Sequence, residues 1–310
     1  MGSRGGPEPS SVRLPGPWTH RDVSANGIRL HVAEYGQGPL VVLLHGFPEF
    51  WWSWRHQLIG LADAGFRAVA VDLRGYGDSD KPPRGYDLWT LAGDVAGLIR
   101  ALGEPAARIV GHDWGGVIGW TVAALHPRLV HSLAVLAAPH PLALRAALAT
   151  DPRGQGRATA SYALGFQVPR RPENSLRADD GARVETIMRE WSGEAWTQTD
   201  DFAEAVAHNR SAIRIPAVAH CSLEYYRWAM RSQLRAEGRR FAAAMARPAR
   251  MPVLQLHGAD DPCVLESTVL RSRRWAAGPF THHPFDATGH FPHEERPAET
   301  TALLTKFLRG

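Results

Sequence analysis

Residues 108–125 constrain the fold more than any other stretch of this chain. An apolar run, Arg108–Val110, ends in Gly111-His112-Asp113-Trp114-Gly115-Gly116, and helical spacing sets in at once over Trp114–Leu125. A strand passes into a helix this abruptly only through a tight turn. Small residues two before and two after Asp113 make room for that turn and lift the central side chain clear of the backbone. The segment therefore predicts a buried strand abutting a helix, the basic unit of a layered α/β architecture. Other stretches repeat the unit. Leu40–Leu44 is apolar without interruption, as a strand buried on both faces of a mostly parallel sheet must be. Arg67–Val71, Leu133–Leu136 and Pro252–His257 give the same signal, Ile28–Ala33 alternates at period two, and Leu88–Leu102 and Ala298–Leu308 have helical spacing. The pattern predicts a mostly parallel, doubly wound α/β sheet with helices on both faces.

One segment breaks the alternation. Over 141–248 the strand signal vanishes, and Ala, Arg, Glu and Trp fill helix-like runs. This predicts a helical insertion dividing a core formed by 18–140 and 249–310. Such an insertion could cover the carboxyl ends of the strands, where open α/β sheets bind ligands. Residues 1–17 are polar, lack the apolar centre of a signal peptide and read as a flexible leader. No run of about 18 apolar residues is present, so no membrane span is expected.

Of the 310 residues, 44% are hydrophobic and 21% charged, which excludes a disordered chain. The net charge of +4 rests on arginine, since only Lys81 and Lys306 are lysines. The arginines are scattered and not interleaved with aromatics, so no nucleic-acid partner is expected. Cys221 and Cys263 lie in no CxxC motif and cannot form a disulfide framework, which suits a reducing cytoplasm. Asp72–Asp80 lacks calcium-loop spacing and no GxGxxG opens a helix, so neither a metal nor a cofactor is expected. Monomer and homodimer are equally compatible with the sequence.

Asp113 at the turn defines a chemistry. An aspartate is already anionic at pH 7 and can displace at saturated carbon to give an ester. Water must then attack the ester carbonyl, so a base is needed in the second step. Folds with this turn place nucleophile, acid and histidine in that chain order. His290 follows the last strand and precedes the final helix, whereas His282 and His283 fall within that strand and His293 begins the helix. The acid comes from His257-Gly258-Ala259-Asp260-Asp261-Pro262, where Asp260 and Asp261 compete. His45-Gly46-Phe47-Pro48 follows the buried Leu40–Leu44 run, and the backbone N–H groups of Phe47 and Trp114 are candidates for an oxyanion hole. His45 is expected to brace this loop, and His112 to pack. His45, Pro48, Trp51 and Trp52 are weaker candidates for the substrate pocket, and the aromatics around them suggest an apolar substrate.

From about Thr19 to Leu308 the chain resembles the epoxide hydrolases of the α/β-hydrolase fold. The resemblance rests on HGFPEFWWSWR (His45–Arg55), DLRGYGDSD (Asp72–Asp80), GHDWGG (Gly111–Gly116) and TGHFPHEE (Thr288–Glu295). It implies an α/β-hydrolase core with a helical cap, Asp113 as nucleophile, and Asp261 rather than Asp260 as the partner of His290. It also implies two cap tyrosines that hold the epoxide oxygen. Tyr162, with Phe-Gln four and five residues on, fits the first cap motif; Tyr226, before Arg227, fits the second better than Tyr225. The implied reaction takes a small apolar epoxide and water to a vicinal diol with no cofactor. Haloalkane dehalogenases share these motifs and form the alternative, but Phe47 stands where they carry a polar halide donor. Fluoroacetate dehalogenases carry Arg where Trp114 stands. A serine-type esterase lacks its Ser here, and a non-catalytic binding protein on the same fold is the remaining reading.

Overall fold

The computed structural model describes residues 6–233 and 235–310. Eight strands form one sheet: β1 Thr19–Ala25, β2 Ile28–Tyr35, β3 Leu40–Leu44, β4 Arg67–Val71, β5 Ala107–His112, β6 Val130–Leu136, β7 Val253–Gly258 and β8 Phe280–Phe285. Their spatial order is β1-β2-β4-β3-β5-β6-β7-β8. β2 is antiparallel to both β1 and β4; every other pairing is parallel. The uninterrupted apolar runs lie centrally, and β3 and β7 are buried along their whole length.

Helices α1 Arg55–Asp63, α2 Leu88–Ala101 and α3 Trp114–Leu125 connect the first half of the sheet. Between β6 and β7 run α4 Pro141–Thr150, α5 Arg157–Ala163, α6 Arg171–Arg177, α7 Ala182–Trp191, α8 Glu194–Thr197, α9 Asp200–Ile213, α10 Val218–Ser232 and α11 Ala236–Met245. The chain closes with α12 Glu266–Leu270, α13 Pro292–Glu295 and α14 Pro297–Arg309. Local chemistry sets several of these ends. The Asp87 carboxylate caps α2 by accepting from Thr90 N, Thr199 caps α9 through Phe202 N, and α14 opens on a proline. Thr300, Leu304 and Leu308 form the buried stripe of α14, one residue per turn.

The register decides where function can sit. Leu44 lies opposite Gly111, Gly111 opposite Val135, Leu136 opposite Leu256, and Gly258 opposite Phe285. The carboxyl ends of β3, β5, β6, β7 and β8 are thus level, and the loops that follow them converge at one edge. Strand order reverses at β3, so this edge is also a topological switch point, where such sheets bind ligands.

The expected flexible leader needs correction. Its first five residues lie outside the described residues, but the remainder is tied down. Val12 is buried and its carbonyl accepts from Trp51 Nε1 at 2.8 Å, while Arg13 bonds Asp78 and Asp22 at 2.6 Å each. A buried indole N–H gains from an acceptor, and for Trp51 this segment supplies it. Among the described residues, no helix is long and apolar enough to cross a membrane.

Candidate active site

Asp113 occupies the junction between β5 and α3 with φ 48° and ψ −117°. Backbone in this region costs a non-glycine residue roughly 1–3 kcal/mol and persists only where its surroundings over-determine it. Here Asp113 N donates to Leu136 O at 3.1 Å, and Asp113 O accepts from Val117 N at 3.0 Å. The flanking glycines permit the approach: a Cβ on Gly115 would stand 2.1 Å from Leu44 O, and one on Gly46 2.5 Å from Asp113 Cβ. The loop after β3 therefore lies directly on the aspartate, and Phe47 N donates to Asp113 Oδ2 at 3.0 Å. The Trp114 N–H, the first of α3, makes no such bond to the carboxylate.

His290 faces the other carboxylate oxygen. Its Nε2 lies 3.8 Å from Asp113 Oδ1 and has no hydrogen-bond partner, while its Nδ1 donates to Asp261 Oδ2 at 2.8 Å. Asp261 is fixed in turn by Cys263 N at 2.7 Å and Val264 N at 3.1 Å, both donating to Oδ1. Asp260 is exposed, and of the two aspartates it is Asp261 that contacts His290. The main chain of His290 is clamped on both sides: its N–H donates to Trp191 O at 2.7 Å, and its carbonyl accepts from His112 Nε2 at 2.8 Å. Burial disfavours the imidazolium, but the carboxylates of Asp261 and Asp113 outweigh it and push His290 up to about 10. Asp261, also buried, is held below the usual carboxylate range by the same imidazole.

The helices between β6 and β7 deliver aromatic side chains to this centre. Tyr226 meets Trp114 edge-on at 5.0 Å and Phe47 at 5.6 Å, and Tyr162 lies 6.0 Å from Tyr226 and 5.3 Å from Trp191. Tyr225 is turned elsewhere, its phenol donating to Arg74 O at 2.7 Å. Burial, with Asp113 adding to it, holds the Tyr226 phenol well above its ordinary value; burial does the same for Tyr162, with Cys263 and Asp113 adding. Both phenols stay protonated across the physiological range.

A profile of the α/β hydrolase fold family matches residues 39–297. The chain is 33% identical over 293 residues to AB hydrolase superfamily protein YfhM of Bacillus subtilis, covering 93% of this chain and 97% of that protein. It is 33% identical over 318 residues to Epoxide hydrolase A of Mycobacterium tuberculosis, covering 94% and 98% respectively. The crystal structure of Epoxide Hydrolase A from Mycobacterium thermoresistibile superposes with a TM-score of 0.79 at 30% identity, over 94% of this chain and 98% of that one. The chain belongs to the α/β-hydrolase family.

Within this hydrolase, two expected pocket residues lie away from the centre. Trp51 packs on Trp18 and His20, both at 5.2 Å, and Trp52 on Trp18 at 5.5 Å and His208 at 5.0 Å. Trp51 binds the N-terminal segment to the hydrolase core, and Trp52 reaches α9. His45 has both ring nitrogens engaged, Nδ1 with Gly46 O at 2.8 Å and Nε2 with Leu73 N at 3.1 Å, and Pro48 is buried in the same loop. Of the rival histidines, His282 pairs with Glu266 at 2.9 Å, His283 lies 3.5 Å from Glu299, and His293 is buried 3.2 Å from Glu49.

Other residues of the hydrolase's site were not anticipated. Glu49 Oε2 lies 2.8 Å from His112 Nδ1, so His112 bridges a buried carboxylate and the carbonyl of His290. Despite its burial, Glu49 is held well below the usual carboxylate range by His112 and His293. The sequence signal for Glu49 was a lone acid amid the apolar residues of His45–Trp54. Trp191 and Phe166 complete the aromatic wall, Phe166 lying 5.0 Å from Tyr226 and Trp191 5.4 Å from His290. Phe166 entered the sequence reading only as a marker of the Tyr162 motif, and the helical context of Trp191 gave no signal.

Proposed function

We propose that this hydrolase opens small apolar epoxides to vicinal diols through an ester on Asp113. The observation that carries it is the division of labour around the two carboxylate oxygens. Oδ2 accepts the Phe47 N–H and is set to remain the carbonyl oxygen; Oδ1 faces His290 and is free to attack. In the first step Oδ1 bonds to an epoxide carbon, the C–O bond of the ring breaks, and the alkoxide takes a proton from Tyr162 or Tyr226. In the second, His290 Nε2 takes a proton from water as the oxygen adds to the ester carbonyl. Charge then develops on Oδ2, where the Phe47 N–H already points. Collapse releases the diol: the leaving alkoxide takes the proton of the added hydroxyl, Asp113 is a carboxylate again, and His290 keeps the proton taken from water. Asp261 keeps the imidazole oriented and stabilises its charged form.

His290 changes role between the steps through charge alone. With Asp113 ionised, the imidazole is held in its protonated form; once Asp113 is an ester, one of its two carboxylate neighbours is neutral, its basicity falls, and its proton passes to the tyrosinate, which frees Nε2 for the second step. The helices 141–248 act as the cap, carrying both phenols and closing the site with aromatic surface. The identity and nearly full coverage shared with an epoxide hydrolase support the same substrate class.

A single turnover of styrene oxide in ¹⁸O-water tests the scheme. The diol of the first turnover is expected to carry no label, which enters Asp113 instead. Label in the first-turnover diol would overturn the covalent route, and halide release from 1-bromobutane without styrene oxide turnover would overturn the substrate class. With His290→Ala, the ester should accumulate and appear as an adduct in the intact mass.

A further inference from the structure

Cys263 has no part in the chemistry above, yet its side chain is built into the same centre. It is buried, and its Sγ, an Asp261 carboxylate oxygen and a His290 ring nitrogen all lie within 4.8 Å of one another. Two nearby imidazole nitrogens are buried without a hydrogen-bond partner: His290 Nε2, and His257 Nδ1, which lies 3.9 Å from Asp261 Oδ2. Sulfur, imidazole and carboxylate come together from two loops far apart in the chain, so no sequence motif announces them. We infer that Asp261, Cys263 and His290 form an inhibitory site for a thiophilic divalent cation of the zinc class.

The donor set selects the ion. Thiolate and imidazole favour zinc or cadmium, whereas calcium and magnesium require oxygen ligands. A tetrahedral zinc with these donors holds them roughly 3.3–3.6 Å apart, so the thiol closes on the ion while the 2.8 Å contact between His290 and Asp261 opens. Binding displaces the proton of the Cys263 thiol and, where the imidazole is protonated, that proton too. Affinity should therefore rise at least about tenfold per pH unit below the thiol's titration. The bound ion takes the nitrogen lone pair that hydrolysis requires and draws Asp261 away from its imidazole. The ester would form and persist. Cation binding stands independently of the substrate; the inhibition rests on the function proposed above.

Cadmium is the probe, because its thiolate complexes absorb in the ultraviolet. The purified full chain should bind one Cd²⁺ in equilibrium dialysis and show the thiolate-to-cadmium band. Cys221→Ala should keep both, and Cys263→Val should lose the band and bind at least about 100-fold more weakly. Circular dichroism checks that Cys263→Val is folded. If it is not, protection of Cys263 from iodoacetamide by Cd²⁺, mapped on peptides of the unaltered chain, tests the site in its place. Unchanged binding by Cys263→Val, or no protection of Cys263, would overturn the site. Cd²⁺ binding with no epoxide turnover would remove the proposed function and leave the site standing; turnover insensitive to Zn²⁺ and Cd²⁺ would remove the site alone.

Discussion

His290 sits between two carboxylates, Asp261 at 2.8 Å and Asp113 at 3.8 Å, and its basicity records whether both are charged. Asp113→Asn should abolish diol formation and move the His290 titration down from about 10, as read by nitrogen NMR of the imidazole. The sign for stability follows. A histidine whose folded value lies above its unfolded one, about 6.5, contributes its full stability below that pH. The contribution is lost as pH rises toward 10, and in Asp113→Asn the loss should be complete at lower pH. The neighbouring tyrosines separate function from structure. Tyr226→Phe should lower kcat about 10²–10³-fold, the cost of one lost donor at a developing oxyanion, with little change in Tm. Tyr225→Phe should instead leave the Arg74 carbonyl without a partner and cost about 1–3 kcal/mol in urea unfolding, with little change in rate. The sequence marked Asp113 and His290 by their places at a tight turn and after the last strand, and the structure brings them within 3.8 Å of each other. Orientation was not legible there. Adjacent aromatics such as Trp51 and Trp52 look the same whether they face a ligand or a neighbouring loop.

The elements were legible in proportion to how completely they are buried. β3, β4 and α3 keep the bounds that their apolar runs predict, because a strand covered on both faces tolerates no polar interruption. β1 was missed for the converse reason. It is an edge strand whose Thr-His-Arg-Asp-Val-Ser-Ala sequence is largely exposed and is ordered by pairing with β2. The junction of β5 with α3 shows what the flanking glycines do. Gly115→Ala would drive a methyl group to 2.1 Å from the Leu44 carbonyl, and neither β3 nor α3 can yield without moving Asp113. A destabilisation of about 3 kcal/mol or more is expected from urea unfolding, and activity should fall further than the lost stability accounts for. Gly103→Ala, where a Cβ would meet nothing within 4 Å but φ is +86°, should cost only about 1 kcal/mol and spare activity.

At the scale of the molecule, the helices between β6 and β7 are joined to the core by polar contacts at several points. Arg55 bridges Asp201 at 2.7 Å and buried Glu294 at 2.6 Å, and Gly193 N donates to Glu295 Oε2 at 2.7 Å. Asp201→Ala removes one of the two partners of Arg55. Because Asp201 is one-third exposed, the cost should be about 1–2 kcal/mol, below that of breaking a fully buried pair. A looser cap should raise KM for styrene oxide more than it lowers kcat. The helical character of 141–248 was evident from composition, but these ties were not, since each joins residues more than 100 positions apart. A further tie has a bearing on descent. The peptide N–H of His290 is held by the last residue of α7, Trp191, so the loop bearing His290 takes its position from that segment. Caps on such a scaffold are not interchangeable parts. A chimera that imports another cap should lose turnover until the turn at Trp191–Gly193 and the loop 287–295 are exchanged together, and natural variants should be found to change them as a single inherited unit.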